Sequence, residues 1–289
     1  MPSTPTSGPA ERLPTSGITR RQWLHGVVAA AVGTAAGTAA HGFLYERHRV
    51  EVTRTILAVS GWPDALSGLR VGFITDLHRS SLVPHGLVDA AVRLLMNEQP
   101  DLIVLGGDYV TWGERRFVQP VAEALAPLSA PHGVFGVLGN HDDDRDLPAA
   151  LQRSGVEILR DERTRIVVRN EPIDLVGIRF WTRKVSDIGR LARGGAPATI
   201  LMAHTPARLV EAAALGVPLM LSGHTHGGQV VLPGVGAVAA RNFPIVSGAG
   251  QRDHTTAFVS RGVGTVYVPV RVACPPEVAV LTLKAPELV

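Results

Sequence analysis

The sequence predicts an α/β fold in four layers, αββα, with two mixed sheets face to face and helices outside. Three observations lead there. Apolar runs of strand length alternate with helically spaced segments through the middle of the chain. The intervals from Asp76 to Asp108 and from Asp108 to Asn140 are both 32 residues, the length of a strand–helix–strand unit. The last third turns to short β runs split by Gly and Pro, which supplies the second sheet.

The elements follow in order. Leu69–Thr75 reads as a strand. Leu87, Val88, Ala91, Leu94 and Leu95 then fall at helical spacing, closed by Pro100. Leu102–Leu105 is the next strand, Val118–Leu125 a helix stopped by Pro127, and Val134–Leu138 the third strand. Shorter strand signals sit at Val156–Leu159, Ile166–Val168 and Leu175–Ile178. Thr199–Ala203 and Pro218–Ser222 are strands flanking a helix at Pro206–Leu215. Gln229–Leu232, Phe258–Ser260, Val266–Val268 and Val278–Leu283 complete the β content.

Composition bounds the function. With 45% hydrophobic residues, the 289-residue chain can build one large core or two small ones. A net charge of +3, with no run of Lys/Arg and interleaved aromatics, gives no nucleic-acid surface. Nothing in the pattern sets an oligomeric state. Cys274 is the single cysteine, so an intrachain disulfide and a thiolate metal cluster are both excluded. A metal would be held by His, Asp, Asn or Glu, which suits Mn, Fe, Zn or Mg.

Residues 1–17 are rich in Pro, Ser, Thr and Gly and read as disordered. Arg20-Arg21 then precede an uncharged Ala/Gly/Val stretch, Gly26–Ala40. Paired arginines before a mild apolar run resemble a twin-arginine export signal. A membrane anchor is the alternative, although this run of 15 residues is short of the roughly 20 that span a bilayer; a buried helix is the third. Thr38-Ala39-Ala40 is an approximate cleavage site, and the segment can also stay attached as an anchor. The organisation read is therefore 1–41 signal or anchor, 42–68 linker, and 69–284 the main α/β domain. The address read is the periplasm or cell envelope.

Five strand-like runs end in polar residues able to hold a metal. They are Asp76-Leu77-His78, Gly106-Gly107-Asp108, Gly139-Asn140-His141-Asp142, His204-Thr205 and Gly223-His224-Thr225-His226. In an extended segment, residues two apart point the same way, so Asp76 and His78 can share one ion. Two glycines before Asp108 let backbone pass close to an ion or phosphate. Each cluster alone also reads as a surface pair, a turn or a helix cap (Thr205). Together they gather ligands at the C-terminal edge of a sheet, where open α/β sheets bind.

In this order the five clusters resemble the calcineurin-like metallophosphoesterases, over residues 69–284. The ending Ser260-Arg261-Gly262-Val263-Gly264-Thr265 with Cys274-Pro275-Pro276-Glu277 is similar to a bacterial phosphodiesterase subgroup. The resemblance implies two divalent ions. One would be held by Asp76, His78 and His226, the other by Asn140, His204 and His224, with Asp108 bridging. His141 would face the substrate rather than bind metal, and Asp142 would orient it. The implied reaction is hydrolysis of a phosphodiester or pyrophosphate bond, lipid-linked substrates among them. Attack would be in line, by a hydroxide bridging the ions. A phosphomonoesterase or phosphoprotein phosphatase, and a non-catalytic binding module, are the alternatives. The sequence departs from the family at Thr111, often Asp, and at Ser80, often Gly. Arg241, Arg252 and Arg261 are candidates to pair a second phosphate, against a reading as plain surface charge. Trp112, Arg115 and Arg116 are candidates to line the mouth of the site.

Overall fold

A computed structural model describes residues 18–112, 114–182 and 185–286. The disorder expected for residues 1–17 lies outside the described residues. The chain divides into two units, 1–39 and 40–289, each described by itself.

Helix α1, Arg20–Leu44, begins in the first unit. Its start is a capping box: Thr19 Oγ1 accepts the Gln22 N–H at 3.2 Å, and Gln22 Oε1 accepts the Thr19 N–H at 2.9 Å. At 25 residues it is continuous beyond the apolar run read from the sequence, because the helix formers Arg20, Arg21, Gln22 and Leu24 extend the Ala-rich run at its N-terminal end. It is long and apolar enough to cross a membrane.

The second unit holds two six-stranded sheets. In the first, β1 (Glu51–Ala58), β14 (Glu277–Lys284), β2 (Leu69–Ile74), β3 (Leu102–Leu105), β4 (Val134–Gly136) and β5 (Glu157–Ile158) lie in that spatial order. In the second the order is β12 (Gly248–Arg252), β13 (Thr255–Val259), β9 (Leu219–Ser222), β8 (Ala198–Ala203), β7 (Glu171–Ile178) and β6 (Glu162–Val168). A short pair, β10 (Val231–Leu232) and β11 (Gly236–Ala237), stands apart. The inner strands β2, β3 and β4, and likewise β7, β8 and β9, run parallel, so their C-terminal ends share one edge in each sheet.

Alternation along the strands builds the four layers. Leu102 and Val104 face inward and pack with Ile200, Met202, Leu219 and Leu221 of the other sheet. Ile103 and Leu105 face outward under α2 (His85–Asn97), α3 (Val118–Leu125) and α4 (Leu147–Arg153). On the far side Leu201 and Ala203 pack under α5 (Val185–Ala192) and α6 (Leu209–Ala214). The predicted αββα sandwich is the observed architecture.

Two expectations are corrected. The stretch 42–68 is no linker: β1 pairs in register with β14 from Glu51↔Glu277 to Ala58↔Lys284 and forms the sheet's edge. Its alternation of half-buried and exposed residues is weak, as befits an edge strand, and hid it. Val266–Val268 is no strand. Tyr267 adopts φ 60°, and the Val268 and Val270 N–H groups fold back on carbonyls two residues earlier, which breaks any ladder.

Candidate metal centre

All five clusters converge beyond the C-terminal ends of β2, β3, β4, β8 and β9. The segment after β2 keeps pairing with the segment after β3. The Asp76 N–H donates to Gly107 O at 2.9 Å, and the His78 N–H to Asp108 O at 3.0 Å. The side chains do not share the site by strand alternation, however. Asp76, His78, Asp108, His224 and His226 all have φ between 47° and 72°. That left-handed conformation costs of order 1–3 kcal/mol per non-glycine residue and persists only where surroundings enforce it. Here the enforcement is close packing of the motif glycines. A Cβ at Gly139 would overlap the Asp108 carboxylate, and one at Gly223 would overlap the Asp76 carboxylate and the Thr75 hydroxyl.

The nitrogens and oxygens crowd one buried volume. His78 Nε2 lies 3.1 Å from His226 Nε2 and 3.4 Å from Asp108 Oδ2. His226 Nε2 lies 3.3 Å from Asp76 Oδ1. His204 Nε2 lies 3.1 Å from the same Asp108 Oδ2 and 3.2 Å from His224 Nδ1. His204 Nδ1 is spoken for by Gly106 O at 2.8 Å. Three ligand-capable sets emerge: Asp76–His78–His226, Asp108–His204–His224, and His78–Asp108–His141. Asn140 Oδ1 is buried beside them with no protein partner, as are Nδ1 of His78 and of His226. Ring nitrogens facing each other around two carboxylates, with an orphaned amide oxygen at the rim, are a donor set that fits divalent cations.

Electrostatics match. Burial drives the imidazoles of His78 and His224 down, to about 3 and about 4, and His226 well below its usual value. These rings are neutral and ready to ligate at physiological pH. Burial raises the Asp76 carboxyl to about 6, helped by the Asp108 charge. At His204 burial works downward but loses to Asp108 and Asp76, which hold that ring up at about 10. Asp108 is correspondingly low: burial pushes it up and is outweighed by His204 and His78.

His141 and Asp142 take different places. The His141 ring packs 4.9 Å from His78, between Trp112 and Tyr267, and its Nδ1 accepts the Trp112 N–H at 3.2 Å. Asp142 does not hold that ring. Its carboxylate accepts the N–H groups of Asp108 at 2.7 Å, Gly139 at 2.8 Å and Tyr109 at 2.9 Å. Asp142 therefore fastens the Asp108 loop to the Asn140 loop, which corrects the expectation that it orients His141. Thr111 and Ser80 serve the loops as well: the Thr111 hydroxyl donates to His78 O, and Ser80 Oγ accepts the Val83 N–H.

Several groups that sequence reading missed brace the centre. Arg271 is fully buried and donates to the carbonyls of Arg261, Gly262, Gly264 and Cys274. The Gly264 N–H in turn holds Asp76 O at 2.7 Å. The Cys274 thiol donates to His226 O at 3.3 Å, and the Cys274 N–H donates to Glu46 Oε1 at 2.7 Å. Gly42 is buried against Arg271 O and Val270, and its carbonyl accepts the Arg271 N–H. An arginine within the apolar run Val268-Pro269-Val270-Arg271-Val272 was the one available signal.

Of the peripheral candidates, Trp112 and Arg115 line a cleft of about 430 Å³ beside Asn140 and His141. Arg116 instead stacks on Phe117. Arg261 is engaged by Glu277 at 3.2 Å. Arg241 is exposed and donates to Ala237 O, and Arg252 is exposed on β12.

Residues 69–228 match the calcineurin-like phosphoesterase family. The chain is similar to phosphodiesterase YaeI of Escherichia coli, 31% identical over 92% of this chain and 99% of that one. It is 29% identical to the uncharacterized metallophosphoesterase YkuE of Bacillus subtilis, over 93% and 98% of the two chains. It is also 28% identical to a bovine transmembrane protein with a metallophosphoesterase domain, over 84% of this chain and 59% of that one. With its strand-end motifs gathered around one buried cluster, the chain belongs to the calcineurin-like phosphoesterase family and is a metal-dependent phosphoesterase.

Proposed function

We propose that the protein is a phosphodiesterase with a dinuclear centre. Asp76, His78 and His226 hold one divalent cation; Asn140, His204 and His224 hold the other; Asp108 bridges. The observation that carries this reading is Asp108 Oδ2, which faces a ring nitrogen of each set, His78 at 3.4 Å and His204 at 3.1 Å. When bound, the cation pair neutralises the phosphoryl oxygens and provides a nucleophile from water at neutral pH. The neutral imidazole and amide ligands leave the centre positive, so an anionic diester is attracted rather than repelled. His141 is assigned to the substrate. Because its Nδ1 accepts the Trp112 N–H, the neutral ring carries its proton on Nε2. From Nε2 the ring donates a hydrogen bond to the leaving ester oxygen and offsets the charge that oxygen gains as the water oxygen bonds to phosphorus from the opposite side and the P–O ester bond breaks; the proton the attacking water gives up passes to solvent, and the departing alcohol takes its proton from solvent.

Diester preference is supported by the phosphodiesterase name of the Escherichia coli relative. Thr19-Arg20-Arg21 at the head of an apolar helix supports export by the twin-arginine route, with the helix kept as an anchor. A membrane-held enzyme of this kind suits lipid-linked phosphoesters as substrates. The ions are drawn from Mn, Fe, Zn and Mg, as the nitrogen and oxygen donors allow.

The test is metal stoichiometry together with hydrolysis of bis-p-nitrophenyl phosphate and p-nitrophenyl phosphate after reconstitution with Mn²⁺. Two ions per chain and faster diester turnover are expected. One ion per chain would overturn the dinuclear assignment, and faster monoester turnover would make the protein a phosphomonoesterase. Changing Arg20-Arg21 to Lys-Lys is expected to leave the protein in the cytoplasmic fraction; unchanged export would remove the twin-arginine reading.

A further inference from the structure

Two clefts open at the metal centre, and they differ in chemistry. The first, beside His141, has a charged rim of Arg115, Asp143, Asp144 and Arg145 over walls that include Val110, Trp112 and Val118. The second, about 380 Å³, lies on the side of His224 and is walled by aromatic rings. Phe243 stands edge-on to the His224 ring at 5.3 Å, and Phe180 lies 5.4 Å from the same ring. Trp181 packs edge-on to Phe180 at 4.9 Å and lines both clefts, so it forms the partition between them. The charged groups lining the second cleft among the described residues are Arg208 and Glu211. They pair with each other at 2.8 Å, and Arg208 also donates to Thr182 O. Their charge is thus spent internally, and the recess presents an apolar, aromatic face.

We infer that the second cleft binds an apolar ester substituent, so that the substrate is a mixed phosphodiester with one polar arm and one aryl or hydrocarbon arm. This rests on the phosphodiesterase reading above. A diester phosphorus held over the centre carries two ester oxygens. The one that leaves lies toward His141 Nε2, which places the departing alcohol in the charge-rimmed cleft. The retained ester arm points the other way, where the nearest recess is the aromatic one. A monoester would leave that recess empty. Pockets of a few hundred Å³ with apolar walls and few polar groups suit such a group, and aromatic rings receive both planar and aliphatic partners.

The test uses the Mn²⁺-loaded full chain and three diesters sharing a p-nitrophenol leaving group: methyl, phenyl and octyl p-nitrophenyl phosphate. Wild type is expected to favour the phenyl or the octyl ester over the methyl ester in kcat/KM by roughly tenfold or more, the usual worth of filling an apolar pocket. The ratio of phenyl to octyl separates an aryl arm from a hydrocarbon arm. Phe243→Ala should lower that preference at least fivefold, and Ala207→Trp, which fills the recess from an exposed position, should lower it too. Equal rates for the three esters, or a preference untouched by both variants, would overturn the inference. Calorimetry of phenylphosphonate against methylphosphonate reads the same cleft without turnover. If no ester is hydrolysed, the phosphodiesterase reading fails, while equal phosphonate affinities would sink the cleft assignment independently.

Discussion

Replacing Asp142 with alanine separates two roles for this residue. The carboxylate accepts three main-chain N–H groups at 2.7–2.9 Å, from Asp108, Tyr109 and Gly139. Removing it leaves these three close donors unpaired, at about 1–3 kcal/mol each, and frees the more distant Val110 N–H at 3.4 Å as well. The low end applies, because the neighbouring cleft lets water reach the gap, and the total is then about 3 kcal/mol. For a domain of this size each kcal/mol moves Tm by about 2–4 °C, so a fall of roughly 6–12 °C is expected. Since the lost bonds hold the Asp108 and Asn140 loops together, metal occupancy should fall as well. Thermal unfolding of the metal-free chain and metal analysis of the reconstituted chain are the assays. Wild-type Tm and full occupancy, with a rate loss like that of His141→Ala, would refute the brace and restore Asp142 as the residue that orients His141.

Other outcomes follow from the same geometry. His141→Ala should retain both ions yet lose ~10²-fold or more in kcat; loss of metal as complete as in His224→Ala would make His141 a ligand. Cation binding must displace the proton that His204 holds up to about 10, so affinity should rise with pH through the neutral range, approaching tenfold per unit. Below about 6 a second proton, on Asp76, steepens the dependence. Calorimetry at pH 7.5 in buffers of different ionisation enthalpy should read about one proton released from His204; buffer-independent heats would contradict this. Gly223→Ala drives a Cβ into the Asp76 carboxylate and Thr75 hydroxyl, so metal content should fall at the His226 side, read by metal analysis. Full occupancy in that variant would show that the loop yields.

The parallel strands were legible because they are buried on both faces and read as unbroken apolar runs ending in polar residues; Leu102–Leu105 before Asp108 is the plainest. The candidate ligands were legible because each follows such a run. What escaped has physical causes. Edge strand β1 carries little alternation, so its pairing with β14 is decided by tertiary contact rather than local pattern. Left-handed backbone at Asp76 and His226 leaves no trace in residue type, since neither is glycine. The partners of Asp142 are main-chain amides more than thirty residues away in three cases, and no side-chain motif announces them. Phe180 and Phe243 meet across His224 from loops whose approach depends on the finished fold.

The contact between the end of α1 and the metal centre sets a limit on proteolytic maturation. Gly42 and Glu46 lie inside the folded unit, the one through the Arg271 N–H, the other through the Cys274 N–H, and Cys274 in turn touches His226. A processing protease that cut after Ala40 would leave both in place and release an intact enzyme. A cut beyond Glu46 would strip two buried supports from the loop behind His226. The folded unit therefore reaches back to Gly42, inside the last turn of α1, where the sequence placed the start of a linker.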